Sequence, residues 1–363
     1  MSHMLFASIE EMLTPENLGE WEGKRVNYVR CLPLNTEVSY SGSRFFRVAT
    51  DDATGSQYIV KRISPAWDWI MRNTDDHRCR SVRLWHYGLL DRLLPKIDHG
   101  IVACAHDGEG WAILMHDMSA ALLPYARFSQ EENEMFLAAL ATMHTTFWQM
   151  AELDDPALGL CTLRQIYTLL SPQTGHREAG GPHGHPKLIL EGWDLFLTLV
   201  AKDIADTIQR LLENPQPLCA ALARYPRTLL HGDCHHANLG RMYGERDKAV
   251  LLDWQLSTVA PPAVDLARYL ATNSALLPIT KEATIESYRR RLAQGLSARY
   301  DENWWQPQLE LGLLGAFLQD GWAIALKATH SSGAWTEETG GPNHWRDDLE
   351  WWSGQVRAAL KWL

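Results

Sequence analysis

Between residues 26 and 116 short β-rich runs alternate with turn residues, and this alternation constrains the fold more than any other feature of the chain. NYVRCLPL is followed by NTEVSYSGS, RFFRVAT by DDATGS, and QYIVKRI follows in turn. GIVACAHDGEGWAILMHDM supplies two more runs around Asp107-Gly108-Glu109-Gly110. Runs this short with turns between them are the signature of an antiparallel meander. One helical stretch interrupts it. In RSVRLWHYGLLDRLLP the residues Val82, Trp85, Leu89, Leu90 and Leu93 recur at helical spacing, and Pro95 ends the pattern. After Met118 the periodicity becomes helical, beginning with SQEENEMFLAALATMHTTFWQM, where Ser129 and Glu132 form a capping-box pattern. The expected class is α+β: a small antiparallel sheet with one helix over residues 1–117, and a larger, mainly helical part over 118–363.

A chain of 363 residues is long enough for two domains or one large two-lobed unit. The net charge is −10 and no basic block occurs, which argues against nucleic acid as a partner. The six cysteines form no CxxC pair, as expected of reduced thiols in a cytoplasmic protein. The N-terminal stretch lacks a basic segment followed by an apolar run, so no signal peptide is expected. No window reaches 18 consecutive apolar residues, so no membrane span is expected either. SPQTGHREAGGPHGHPK (171–187) reads as a surface loop, with a substrate lid or a weak metal tract as its functional alternatives.

The densest chemistry lies in LLHGDCHHANLG, residues 229–240. His231, Asp233, His235 and His236 are all competent metal ligands, which raises a metallohydrolase as one reading. The order His-Gly-Asp-Cys-His-His matches it poorly, because binuclear hydrolases space their histidines two apart before the aspartate. Phosphoryl transfer fits better. A protein-kinase loop places an aspartate five residues before an asparagine, with a histidine two residues ahead of the aspartate. His231, Asp233 and Asn238 have this spacing. A second carboxylate should follow on a hairpin strand, and KAVLLDWQLS ends its apolar run at Asp253-Trp254, after the turn YGERDK. Two oxygen ligands of this kind suit Mg2+ shared with nucleotide phosphates.

HGDCHHAN together with LLDW resembles the aminoglycoside phosphotransferase-like family of small-molecule kinases, whose pattern is His-Gly-Asp-x-His-x-x-Asn followed by Asp-Trp or similar. The resemblance implies a protein-kinase-like, two-lobed fold. It further implies an ATP- and Mg2+-dependent phosphotransferase acting on a hydroxyl of a small molecule of antibiotic, sugar or amino-alcohol type. Asp233 would be the catalytic residue, and Asn238 and Asp253 the metal ligands. Lys61 would bind phosphates, with Ser41, Gly42 and Ser43 in the turn above them, and the backbone from His116 to Met118 would meet the purine. Asp265 would cap a helix or brace the loop, His231 would be structural, and His235 fills a family position. Cys234 and His236 carry no role.

One departure stands out. The family pairs its lysine with a glutamate on the helix of the first lobe, and the aligned position here is Ser81. Asp75 or Asp76 is expected to substitute. If neither does, Lys61 lacks its ion pair or finds an acid elsewhere, and a catalytically impaired nucleotide-binding relative becomes the alternative. Eight of the sixteen tryptophans fall between Trp304 and Trp362; most are expected in the core, with Trp335 and Trp345 facing the acceptor from a Gly- and Ser-punctuated loop.

Overall fold

The short runs pair as their turns dictate. The computed structural model describes residues 2–34, 41–51, 58–244, 247–329 and 341–363. Helices α1 (Ile9–Met12) and α2 (Pro15–Glu22) precede strands β1 (Val29–Leu34), β2 (Arg44–Thr50) and β3 (Tyr58–Ile63). Then come α3 (Trp69–Asn73), α4 (Arg80–His86), β4 (Ile97–Asp98), β5 (Ile101–Asp107) and β6 (Gly110–His116). Five of these strands form one antiparallel sheet in the order β1-β2-β3-β6-β5. Lys61 lies on its central strand, between Phe45 of β2 and Ile113 of β6. Side chains alternate across a strand, so Lys61 faces away from Tyr58 and Val60. Those two join Met12 and Leu18 in a core cluster beneath α1 and α2, whereas Ile63 and Ile113 belong to the main core with Val82 and Trp85.

Four helices, not one, accompany the sheet among the described residues of this region. The sequence carried caps for three of them: Ser8 accepts from the Glu11 N–H, Thr14 from the Asn17 N–H, and Asp68 from the Met71 N–H. The helix expected over 80–95 is broken. It ends at Tyr87, Gly88 turns left-handed, and a 3-10 turn covers Leu90–Leu93. All five apolar residues that suggested it are nevertheless buried.

The second part begins with α5 (Gln130–Thr146), whose capping box between Ser129 and Glu132 is complete. Helices α6 (Leu163–Leu169), α7 (Pro172–Glu178), α8 (His185–Leu199), α9 (Lys202–Glu213) and α10 (Gln216–Leu222) follow. Short strands β7 (Thr228–Leu230), β8 (Leu239–Met242), β9 (Lys248–Leu251) and β10 (Thr258–Ala260) lead to α11 (Ala263–Thr272), α12 (Lys281–Leu296), α13 (Glu302–Thr329) and α14 (Pro342–Ala359). By length and composition α13 could cross a membrane, but its apolar residues are buried against α8, α11 and α14.

The 171–187 segment is a loop only over 179–184, between two helices. Ser171 caps α7, Pro172 occupies its first turn, and α8 starts at His185, so Gly and Pro here punctuate helices. Glu178 accepts hydrogen bonds from Arg72 (2.6 Å) and Asn73 (2.7 Å), tying α7 to α3. Arg80 makes a second tie. Its buried guanidinium donates to the carbonyls of Gly159 (2.6 Å) and Gln255 (3.1 Å) in the helical part, and to Thr74 beside it.

Trp304, Trp305, Trp322, Trp345 and Trp352 are core residues. Trp345 lies in the first turns of α14 rather than in a loop and is only 1 % exposed, with the Lys327 ammonium 4.2 Å from its ring centroid. Its apolar surface is used in packing, which corrects the expectation that it faces an acceptor. Trp335 lies outside the described residues.

Candidate active site

One carboxylate braces the loop that follows β7. Asp265 sits in the first turn of α11 and is 0 % exposed. Its Oδ2 accepts from the His231 N–H (2.7 Å) and its Oδ1 from the Gly232 N–H (2.8 Å). The Tyr288 hydroxyl lies 2.5 Å from Nδ1 of His144, whose Nε2 is 3.2 Å from Asp265. Of the two roles offered for Asp265, loop bracing is the observed one, since its side chain makes no cap bond.

Gly232 has φ +82°, and a Cβ there would lie 2.2 Å from the Leu256 carbonyl oxygen. Neither the left-handed backbone nor the close approach admits a side chain. Gly232→Ala is therefore expected to lower stability by about 2 kcal/mol or more, through positive-φ strain plus displacement of the Leu256 backbone. A thermal melt checks this; a melting temperature equal to the parent's would contradict it.

His231 is buried and edges against Trp254, with ring centroids 4.7 Å apart. Its Nε2 donates to the Leu252 carbonyl (2.9 Å), and its Nδ1 accepts from the Asp233 N–H (3.3 Å). It thereby fastens the loop to the chain leaving β9, a structural part.

The Asp233 carboxylate has two different ends. Oδ1 accepts from Arg268 Nη2 at 2.9 Å. Oδ2 faces Asn238 Nδ2 at 3.3 Å and His235 Nε2 at 3.4 Å. Burial opposes its ionisation, but His235 and Arg268 together outweigh burial, and the carboxyl is held far below the usual range. Asn238 ends a 3-10 turn, and its amide nitrogen also donates to the Asp233 backbone carbonyl (3.0 Å). With that nitrogen engaged, the amide oxygen is its end with ligand chemistry.

Asp253 follows β9 in a left-handed conformation, φ +64°. Its Oδ2 lies 2.9 Å from the Lys61 ammonium. Its Oδ1 is buried and has no hydrogen-bond partner among the described residues. An orphaned carboxylate oxygen is costly unless a ligand completes it, and a hard cation fits that requirement.

Lys61 is 5 % exposed, and its acid partner is not the expected one. Asp75 is exposed and accepts from Gln165; Asp76 is buried and paired with Arg80 (3.7 Å). Neither is paired with Lys61, whose partner is Asp253 itself. Burial pushes the Lys61 pKa down, while Asp253 and then Asp68 push it up and prevail. Asp68 escaped the sequence reading. It accepts from the Met71 N–H (2.9 Å), the Ser43 hydroxyl (3.0 Å) and Gln255 Nε2 (3.0 Å). One buried carboxylate thus joins the β2 entry, α3 and the turn after Asp253. Its only sequence signal was the N-cap of a short helix.

Lys61, Asp233, Asn238 and Asp253 line one cavity of about 420 Å³, together with Ser41, Ser43, Ser81 and the apolar side chains of Phe45, Ile113, Met115 and Leu252. A volume of this size accommodates a small ligand. Gly42 does not line it; a Cβ there would meet the Trp67 carbonyl oxygen at 2.4 Å and His183 at 2.7 Å. The side chains of His116 and Met118 lie outside it as well. The His116 N–H donates to the Gly100 carbonyl (2.9 Å), and the Met118 carbonyl accepts from Ala121 (2.8 Å) and Leu122 (3.1 Å). Met115 and Leu122, on either side of that pair, are the residues that reach the cavity.

The histidines do not assemble a zinc site. His231 is turned to the Leu252 carbonyl, and His236 edges against Tyr125, ring centroids 4.7 Å apart. Burial, and then the proximity of His235, pushes His236 down to about 4. Among the described residues no group of three or more His, Cys, Asp or Glu side chains could hold a metal.

Residues 115–305, just over half of the chain, match the phosphotransferase enzyme family. No curated protein sequence matches the chain. Among solved structures, it is similar to a microcompartment-associated aminopropanol kinase, at 12 % identity over 92 % of this chain and 95 % of that one, with a TM-score of 0.51. It is also similar to a choline kinase from Streptococcus pneumoniae, at 13 % identity over 94 % and 99 % of the two chains, with a TM-score of 0.47. A third is an aminoglycoside phosphotransferase from Alicyclobacillus acidocaldarius, at 15 % identity over 91 % and 90 %, with a TM-score of 0.40. The likeness to the aminopropanol kinase is one of fold, the protein-kinase-like arrangement of an N-terminal sheet and a mainly helical remainder.

Proposed function

Because this chain belongs to the phosphotransferase enzyme family, we propose that it moves the γ-phosphoryl group of ATP onto a hydroxyl of a small molecule of antibiotic, sugar or amino-alcohol type. The observation that carries this reading is the convergence of Lys61, Asp233, Asn238 and Asp253 on one cavity, with Asp233 ionised. The two lobes divide at residues 117/118, and the nucleotide lies between them.

In this reading Lys61 neutralises the nucleotide phosphates, and the hydroxyls of Ser41 and Ser43 lie beside them. The backbone between His116 and Met118 meets the purine, and Met115 and Leu122 pack against it. Asn238, through its amide oxygen, and Asp253, through the unpartnered Oδ1, would hold a Mg2+ ion, which when bound neutralises charge on the phosphates. Asp233 Oδ2 accepts a hydrogen bond from the acceptor hydroxyl and aims it at phosphorus. The acceptor oxygen–phosphorus bond forms as the bond from the γ-phosphorus to its bridging oxygen breaks, ADP leaves, and the hydroxyl proton passes to Asp233. Its main contribution is orientation, as a loose phosphoryl transition state requires.

ADP release with MgATP and a panel of aminoglycosides, sugars, choline and amino alcohols tests the reading. Turnover with one class names the acceptor. Stabilisation by MgADP with no turnover on any acceptor would leave a nucleotide binder. No stabilisation by nucleotide at all would refute the reading.

Asp253 gives a prediction of its own. Asp253→Asn is expected to weaken MgADP binding about tenfold or more, about 1.4 kcal/mol. In EDTA the sign reverses: the variant holds ADP at least as well as the parent, because Lys61 is released from its ion pair. Calorimetric titration with and without Mg2+ checks both halves. Unchanged Mg2+ dependence would remove Asp253 from the metal site.

A further inference from the structure

Arg268 lies three residues beyond Asp265 on α11, so both side chains emerge on one helix face beneath the loop. Asp265 holds the loop backbone; Arg268 reaches the Asp233 side chain. We propose that Arg268 is a positioning residue for phosphoryl transfer: by occupying Oδ1 of Asp233 it reserves Oδ2 for the acceptor hydroxyl. This rests on the function proposed above, in which Asp233 meets the acceptor.

The geometry supports a specific task. Arg268 is buried, with Nη2 on Asp233 Oδ1 at 2.9 Å and Nη1 in a close ion pair with Asp320 of α13. A forked guanidinium can bridge two carboxylates in this way, and a lysine ammonium cannot match that planar fork. The charges matter as much as the fork. One guanidinium between two carboxylates leaves the triad one net negative charge, so Asp233 keeps its strength as an acceptor at Oδ2. Asp320 also anchors the guanidinium to α13, a core helix. The other groups facing Asp233 are His235 and Asn238 of its own loop, His231 beside it, and His185 of α8. Only Arg268 contacts Oδ1 among the described side-chain hydrogen bonds and ion pairs of Asp233. The Nε of Arg268 is buried with no partner among the described residues, so the side chain is held by its two carboxylates alone.

The test uses the full-length enzyme with water as acceptor, reading MgATP hydrolysis, and MgADP-induced thermal stabilisation as the check on folding. Arg268→Ala is expected to lower kcat about 100-fold, the scale for misplacing a reacting group by about an ångström, with KM for MgATP within about twofold. Millimolar guanidinium should restore part of the rate, and urea, of similar shape but uncharged, should not. Arg268→Lys should retain the charge and still lose about tenfold, and Asp320→Asn should lose rate with Arg268 intact; these two decide the matter if Arg268→Ala does not fold. Unchanged kcat in the Arg268 variants would overturn the inference, as would equal rescue by urea. If Asp233→Asn hydrolyses MgATP as fast as the parent, the failure belongs to the proposed function; if Asp233→Asn is inactive and the Arg268 variants are not, it belongs to this inference alone.

Discussion

Asp233→Asn is expected to bind MgADP as the parent does and to lose between about 10² and 10⁴ in kcat, the range for removing a positioned acid–base group. The substitution is nearly isosteric, so the loss has a chemical origin. The amide can satisfy Arg268 with its oxygen only by presenting its nitrogen where Oδ2 stood. That nitrogen would face two further nitrogens, Asn238 Nδ2 and His235 Nε2, and could accept nothing from an acceptor hydroxyl. The parent has a corresponding pH signature. The folded-state pKa of Asp233 lies below its unfolded value, so its contribution to stability is fully present above about 3.9 and is lost as pH falls through the lower folded value. Between about pH 5 and 8 the rate should therefore show no break from Asp233 itself. Stopped-flow phosphoryl transfer and a calorimetric titration with MgADP measure the two halves. Near-normal turnover by Asp233→Asn would remove it from the reaction.

Asp265→Ala should be the most destabilising single change in the site. It strips a fully buried acceptor from two backbone N–H groups, those of His231 and Gly232, and from the His144 imidazole. Leaving such buried donors uncompensated costs about 3–5 kcal/mol. Asp265→Asn keeps one acceptor and the shape, and should lose less. Denaturant midpoints rank the variants. If Asp265→Ala unfolds at the parent's midpoint, the loop is held by other contacts.

These residues show which features of the molecule were legible in one dimension. Strands between tight turns were readable because their pairing is local, and all five of the sheet strands appear where the alternation put them. The spacing from His231 to Asn238 was readable because one short loop positions all of it. Lys61 was readable as a strand lysine, but its partner was not, since Asp253 arrives from the far side of the cleft. Arg268 was invisible for the same reason: nothing near it in sequence says that α11 passes beneath Asp233. The 171–187 segment was legible only in part, as the turn over 179–184. Its glycine and proline content suggested a loop, although Ser171-Pro172 is an ordinary helix start. Trp345 failed because a tryptophan after a Gly-rich stretch looks the same whether it begins a loop or a buried helix.

The ties made by Arg80 bear on how such an enzyme can be controlled. In protein kinases the helix beside the phosphate-binding lysine is the moving part, and its position sets activity. Here that helix, α4, begins with a buried arginine bound to two carbonyls of the helical half, while Glu178 holds the neighbouring α3 through Arg72 and Asn73. Swinging α4 outward would strand a guanidinium and several carbonyls in a dry interior. A helix pinned in this way makes a poor switch. A fold fastened at both short helices beside its sheet leaves little room for control through the position of α4.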